Sequence, residues 1–111
     1  MGSVAITWVD REQVIAQART LAARMRADHP EVARIYLVGS FAYGQPGPHS
    51  DLDLVVIVRD TAVGPRDRSA HYAPLSPRPV DLLVYTADEV ARVQHNLPPL
   101  LAIALRQGIE L

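Results

Sequence analysis

The stretch from Ile35 to Val58, IYLVGSFAYGQPGPHSDLDLVVIV, limits the possible folds more than any other part of the chain. It reads as an apolar strand, a glycine-bracketed turn with a short helix, a Pro/Gly loop, and a second apolar strand that opens on two aspartates. Side chains two residues apart in a strand share a face, so Asp51 and Asp53 stand side by side. Leu52, Leu54, Val56 and Val58 then point the other way, toward a core. Gly39 and Ser40 leave the first strand where a helix begins, and the N–H groups exposed at a helix start favour phosphate oxygens. Two carboxylates beside such a cradle point to a divalent cation holding a triphosphate.

Gly39-Ser40, ten residues, then Asp51-Leu52-Asp53 resembles the signature of the polymerase-β-like nucleotidyltransferase superfamily. More narrowly, the chain resembles the minimal nucleotidyltransferase (MNT) domains, antitoxin partners of HEPN ribonuclease toxins. The likeness covers most of the chain, including its helix-ending tail. It implies an α/β (α+β) fold: a mixed, twisted sheet of three to four strands packed on helices, covered on one face and open to substrate on the other. It further implies a Mg²⁺-dependent transfer of AMP from ATP to a hydroxyl acceptor. Two Mg²⁺ ions would be held by Asp51, Asp53 and a third carboxylate. Gly39, Ser40, Gly44 and Ser50 would line the nucleotide site. The acceptor implied is a tyrosine of a HEPN toxin, so a hetero-oligomer is expected.

One departure from the family pattern stands out. Many MNT motifs carry an arginine between the Gly-Ser and the next glycine, or just after it. Here Phe41, Tyr43 and Gln45 occupy those places. Positive charge near the triphosphate must then come from metal or from Arg59, Arg66, Arg68 or Arg78. His49 is the neighbouring residue with chemistry of its own, since histidine titrates near neutral pH.

At 111 residues the chain is expected to form one domain, residues 1–111, with a single core. The formal net charge of −1 gives no electrostatic footprint for nucleic acid, so none is expected as a partner. All 11 basic residues are arginine, which removes lysine-based mechanisms, and the absence of cysteine removes thiolate metal sites and cysteine nucleophiles. The N-terminus lacks a signal-peptide layout and no apolar run reaches spanning length, so a cytoplasmic protein with no membrane partner is expected.

The flanks read as follows. Val4, Ile6 and Trp8 alternate but make too short a run for a strand. Asp10, with Gln13 three residues on, opens a helix to about Ala27 whose apolar stripe is Val14, Ala18, Leu21, Ala22 and Met25. His29-Pro30 ends it. A strand spans Arg34–Val38. Residues Arg59 to Pro79, rich in Pro and Gly, form a long connection over the active-site face, with a brief helical turn at Ser69–Ala73. Val80–Tyr85 is a third strand, and Asp81 near its start is the candidate third carboxylate. Asp88 caps a short helix, Glu89 to about His95, and Asn96 with Pro98 opens a last one through Gln107, stopped by Gly108. Its stripe is Leu97, Leu100, Leu101, Ala104 and Leu105.

Two other functions fit the same residues. One is an antitoxin that masks its toxin by contact alone. The other is an enzyme modifying a small molecule of the aminoglycoside kind, although a polycationic acceptor favours a second domain that this chain lacks.

Overall fold

The computed structural model describes residues 10–44 and 51–111. The run around Val4, Ile6 and Trp8, and the residues Gln45, His49 and Ser50, lie outside the described residues.

Helix α1 (Arg11–Asp28) starts where Asp10 accepts a hydrogen bond from the Gln13 amide at 3.1 Å. It ends at His29, whose own N–H returns to the Met25 carbonyl. Strand β1 (Val32–Val38) leads into α2 (Ser40–Tyr43), a single turn, and β2 (Leu52–Val58) follows. A crossover containing α3 (Arg68–Tyr72) brings the chain to β3 (Val80–Thr86). Two helices, α4 (Ala87–Arg92) and α5 (Pro99–Gln107), precede the short strand β4 (Ile109–Glu110). The sheet order is β3-β2-β1-β4. β1 runs antiparallel to both β2 and β4, and β2 runs parallel to β3. This is the mixed four-stranded α+β architecture expected from the sequence.

The central strands β1 and β2 are largely buried on both faces, which corrects the expectation of one fully open face, while Asp81 and Leu83 of β3 stay exposed. On the first face the α1 stripe of Val14, Leu21, Ala22 and Met25 packs against Ile35, Leu37, Leu52, Leu54, Val56 and Val58. Phe41 of α2 and Tyr72 of α3 close the same core. On the second face Leu101 and Ala104 of α5 cover Tyr36, Val38, Val55 and Ile57. The sequence of β2 shows why. A strand buried on both sides has no polar alternation, and Val55-Val56-Ile57-Val58 reads as a continuous apolar run. Burial of each large side chain in these layers contributes about 1.5–3 kcal/mol. A register shift between Val32 and Arg34 lets Val32 share the first face with Ile35 and Leu37, although an odd number of residues separates it from each.

The crossover packs on the first face, which corrects the expectation that it lies over the active-site face. Tyr72 is fully buried on the first face, away from Val55 and Ile57, because the parallel β2–β3 connection must pass over one face to return to the start of β3. Only its last residues come back to the aspartate end, where the Pro79 carbonyl accepts the Leu52 amide at 2.9 Å. Among the described residues, no helix is long and apolar enough to cross a membrane.

Candidate active site at the start of β2 and β3

Asp53 and Asp81 are direct neighbours on the parallel ladder, each the second residue of its strand. Parity places both on the second face, with Val55 and Ile57, Asp53 half-buried and Asp81 exposed. Asp51 lies just before β2, exposed. Burial pushes the Asp53 carboxyl above its ordinary value, and the charges of Asp81 and Asp51 push it further. Asp51 and Asp81 thus lie near enough to Asp53 for their charges to act on its carboxyl. An all-oxygen, mutually repelling donor set of this kind suits a hard divalent cation such as Mg²⁺.

Gly39 stands directly against this group. Its φ is +76° and its ψ −156°, a region essentially closed to side-chain-bearing residues. A Cβ there would lie 2.3 Å from Asp53 Oδ2, so only glycine lets the turn approach the carboxylates. Ser40 begins α2, and the Gly44 amide closes the turn on the Ser40 carbonyl at 3.0 Å. With only four residues, α2 has little dipole. Any phosphate contact here comes from individual N–H and hydroxyl groups rather than from a long helix.

A residue that sequence reasoning missed holds this turn in place. Arg11, at the start of α1, donates through Nε to the Phe41 carbonyl at 2.8 Å and through Nη2 to the Ala42 carbonyl. The guanidinium thus satisfies carbonyls that a one-turn helix leaves unpaired. No local sequence signal marks Arg11, because its partners lie thirty residues away.

The four arginines expected to supply positive charge divide. Arg68 is buried and ion-paired with Glu89 at 2.7 Å, and also donates to the Val63 carbonyl. Arg59 donates to the Pro30 carbonyl at 2.7 Å, beyond the end of β2 remote from Asp53. Arg66 is exposed in the turn before α3. Arg78 lies over the Phe41 ring, 5.1 Å from its centroid, which sets it beside the Gly39–Gly44 turn. The expectation thus fails for Arg59 and Arg68, whose groups serve the opposite end of the sheet, and the structure favours Arg78.

The sequence profile for the nucleotidyltransferase domain matches residues 18–97. No curated protein matches the chain. Among solved structures, a protein from Sulfolobus solfataricus provisionally assigned as a nucleotidyltransferase superposes with a TM-score of 0.61 at 17% identity, over 90% of this chain and 80% of that one. A toxin–antitoxin structure with AMP-PNP gives a TM-score of 0.50 at 20% identity, over 82% of this chain and 69% of that one. A mutant of the MntA–HpeT toxin–antitoxin pair gives 0.47 at 17% identity, over 92% and 72%.

Proposed function

Because the chain belongs to the nucleotidyltransferase domain family, we propose that it moves AMP from ATP to a hydroxyl group in the cytoplasm, and that the acceptor is a tyrosine of a partner HEPN toxin. The observation that carries this reading is the in-register pair Asp53 and Asp81 with Gly39 against it. That geometry supports a carboxylate site abutting a phosphate turn. The fold shared with a toxin–antitoxin structure containing AMP-PNP supports an adenine nucleotide and a toxin partner. Leu83 on β3, and Leu100 and Leu105 on α5, remain partly exposed and offer apolar surface for such a partner.

In the reaction the acceptor oxygen bonds to the α-phosphorus of ATP. The bond to the bridging oxygen breaks, pyrophosphate leaves, and the hydroxyl proton passes to a carboxylate or to solvent. Asp51, Asp53 and Asp81 would hold two Mg²⁺ ions, which supply charge neutralisation for the phosphates and the leaving group. Asp81, the more exposed of the β-strand pair, is placed to take the acceptor proton. Gly39 and Ser40 orient the β- and γ-phosphates through N–H and hydroxyl groups, with Gly44 fixing the turn. Ser50, next to Asp51 in sequence, is the further candidate for a nucleotide contact. Arg78 supplies the positive charge that the motif lacks. Most of the acceleration in this scheme is positioning and charge stabilisation.

The test is incubation with labelled ATP and Mg²⁺, with and without the product of an adjacent HEPN gene. Metal-dependent label on the partner, absent from Asp51→Ala/Asp53→Ala, is the expected result. Tight binding of the partner without any label would instead establish masking by contact, and label on an aminoglycoside alone would redirect the acceptor to a small molecule.

A further inference from the structure

We propose that His29, Glu31 and His71 form a second metal site, distinct from the aspartates, that takes a borderline divalent cation such as Zn²⁺. His29 caps the end of α1, Glu31 stands just before β1, and His71 projects from α3. One ligand atom from each lies within 4.8 Å of the others. Four-coordinate zinc holds its ligands about 3.4 Å apart, given bonds near 2.1 Å. The widest pair here must close by little more than 1 Å by that estimate. His71 is exposed, so rotation of its side chain supplies the movement.

The surroundings support a built site. The Tyr72 hydroxyl donates to Glu31 Oε2 at 2.7 Å and shares a second hydrogen bond with Thr61 Oγ1 at 2.8 Å. A carboxylate held in this way by a buried hydroxyl is already oriented, which is what outer-shell partners do for metal ligands. The rings of His29 and His71 stand 5.1 Å apart at their centroids, and Tyr72 lies edge-on to both. Two imidazoles with one carboxylate favour zinc-like ions, whereas the all-carboxylate group favours Mg²⁺. The sites also lie at opposite ends of the sheet. Val32 follows Glu31 closely and Val38 pairs with Asp53, and six strand steps separate them by about 20 Å. An ion here ties the end of α1, the start of β1 and the crossover helix together, with a fourth position left for water.

The test is titration of the untagged protein with ZnCl₂ by calorimetry, in excess Mg²⁺ that keeps the aspartates occupied and without nucleotide. The expected result is one equivalent of zinc bound and a thermal midpoint that rises with zinc concentration. His71→Ala and Glu31→Gln should each weaken binding at least tenfold, while Asp53→Asn leaves it unchanged. His71 is exposed, so its variant keeps the fold, and far-UV circular dichroism checks this. Absence of zinc binding by the wild type overturns the proposal. So does binding that survives His71→Ala or is lost in Asp53→Asn.

Discussion

Gly39 and Asp53 approach so closely that a methyl group on the glycine would sit 2.3 Å from the Asp53 carboxylate oxygen. The turn and the carboxylate therefore share one space, and a single added carbon must displace one of them. Gly39→Ala also forces alanine into a backbone region that costs about 1–3 kcal/mol. We expect the thermal midpoint to fall by roughly 5–15 °C for a domain of this size, and label transfer from ATP to fall at least tenfold. Circular dichroism melts and the labelling assay check both.

Asp53→Asn should separate stability from activity. The Asp53 carboxyl is pushed above its ordinary value by burial and by its neighbours Asp81 and Asp51. A raised carboxyl binds its proton more tightly folded than unfolded, so at neutral pH the charged form opposes folding. The variant is expected to melt higher than wild type in EDTA at pH 7 and to transfer no AMP. Adding Mg²⁺ should raise the wild-type midpoint and leave that of Asp53→Asn nearly unmoved. Melting curves with and without Mg²⁺ decide this.

The pair Arg68–Glu89 gives an acid limit to stability. Glu89 is held below its ordinary value of 4.5, chiefly by the Arg68 hydrogen bond. A depressed carboxyl stabilises the fold above its unfolded value, and the gain is lost as pH falls below about 4.5 through the depressed value. Arg68→Met removes the partner and should cost on the order of 2–3 kcal/mol, less than for a fully buried pair because Glu89 keeps 34% of its side chain exposed. It should also flatten the acid limb. Denaturant midpoints between pH 7 and pH 3 measure both effects.

Arg11 positions the nucleotide turn without belonging to the motif. Its donors engage the Phe41 and Ala42 carbonyls, and hydrogen bonds to a charged group contribute about 1.5–3 kcal/mol. Arg11→Ala is expected to raise the KM for ATP about tenfold with a smaller change in kcat. Arg11→Lys should recover little, since an ammonium cannot span two carbonyls as the fork does. Steady-state kinetics with varied ATP test the split.

Much of this layout is legible in the residues themselves. The α1 stripe is buried as its spacing dictates, and Leu52, Leu54, Val56 and Val58 enter the first core. Gly108 ends α5, although its φ of −66° is ordinary. A Cβ there would sit 2.6 Å from the Ala104 carbonyl, so crowding rather than handedness favours glycine. Helix α4 begins two residues earlier than Asp88 suggests. Thr86 and Glu89 form a reciprocal capping box, a pattern present in the sequence and outweighed by the stronger reputation of Asp as a cap. The second covered face was also written in Val55 and Ile57. The ring of His29, His71 and Tyr72 was not legible, because it depends on the path of the crossover and not on local spacing.

The shared rung of Asp53 and Asp81 has a consequence for how such a gene can change. A one-codon deletion between Asp53 and Val56 would break the alternation, so either the carboxylate turns inward, against α1, or the apolar residues that follow turn toward α5. Either the chemistry or the hydrophobic layers would fail. A lineage of this protein can therefore vary its loops, helices and partner surface freely, while insertions and deletions within these two strands are purged by selection on the fold or on the reaction.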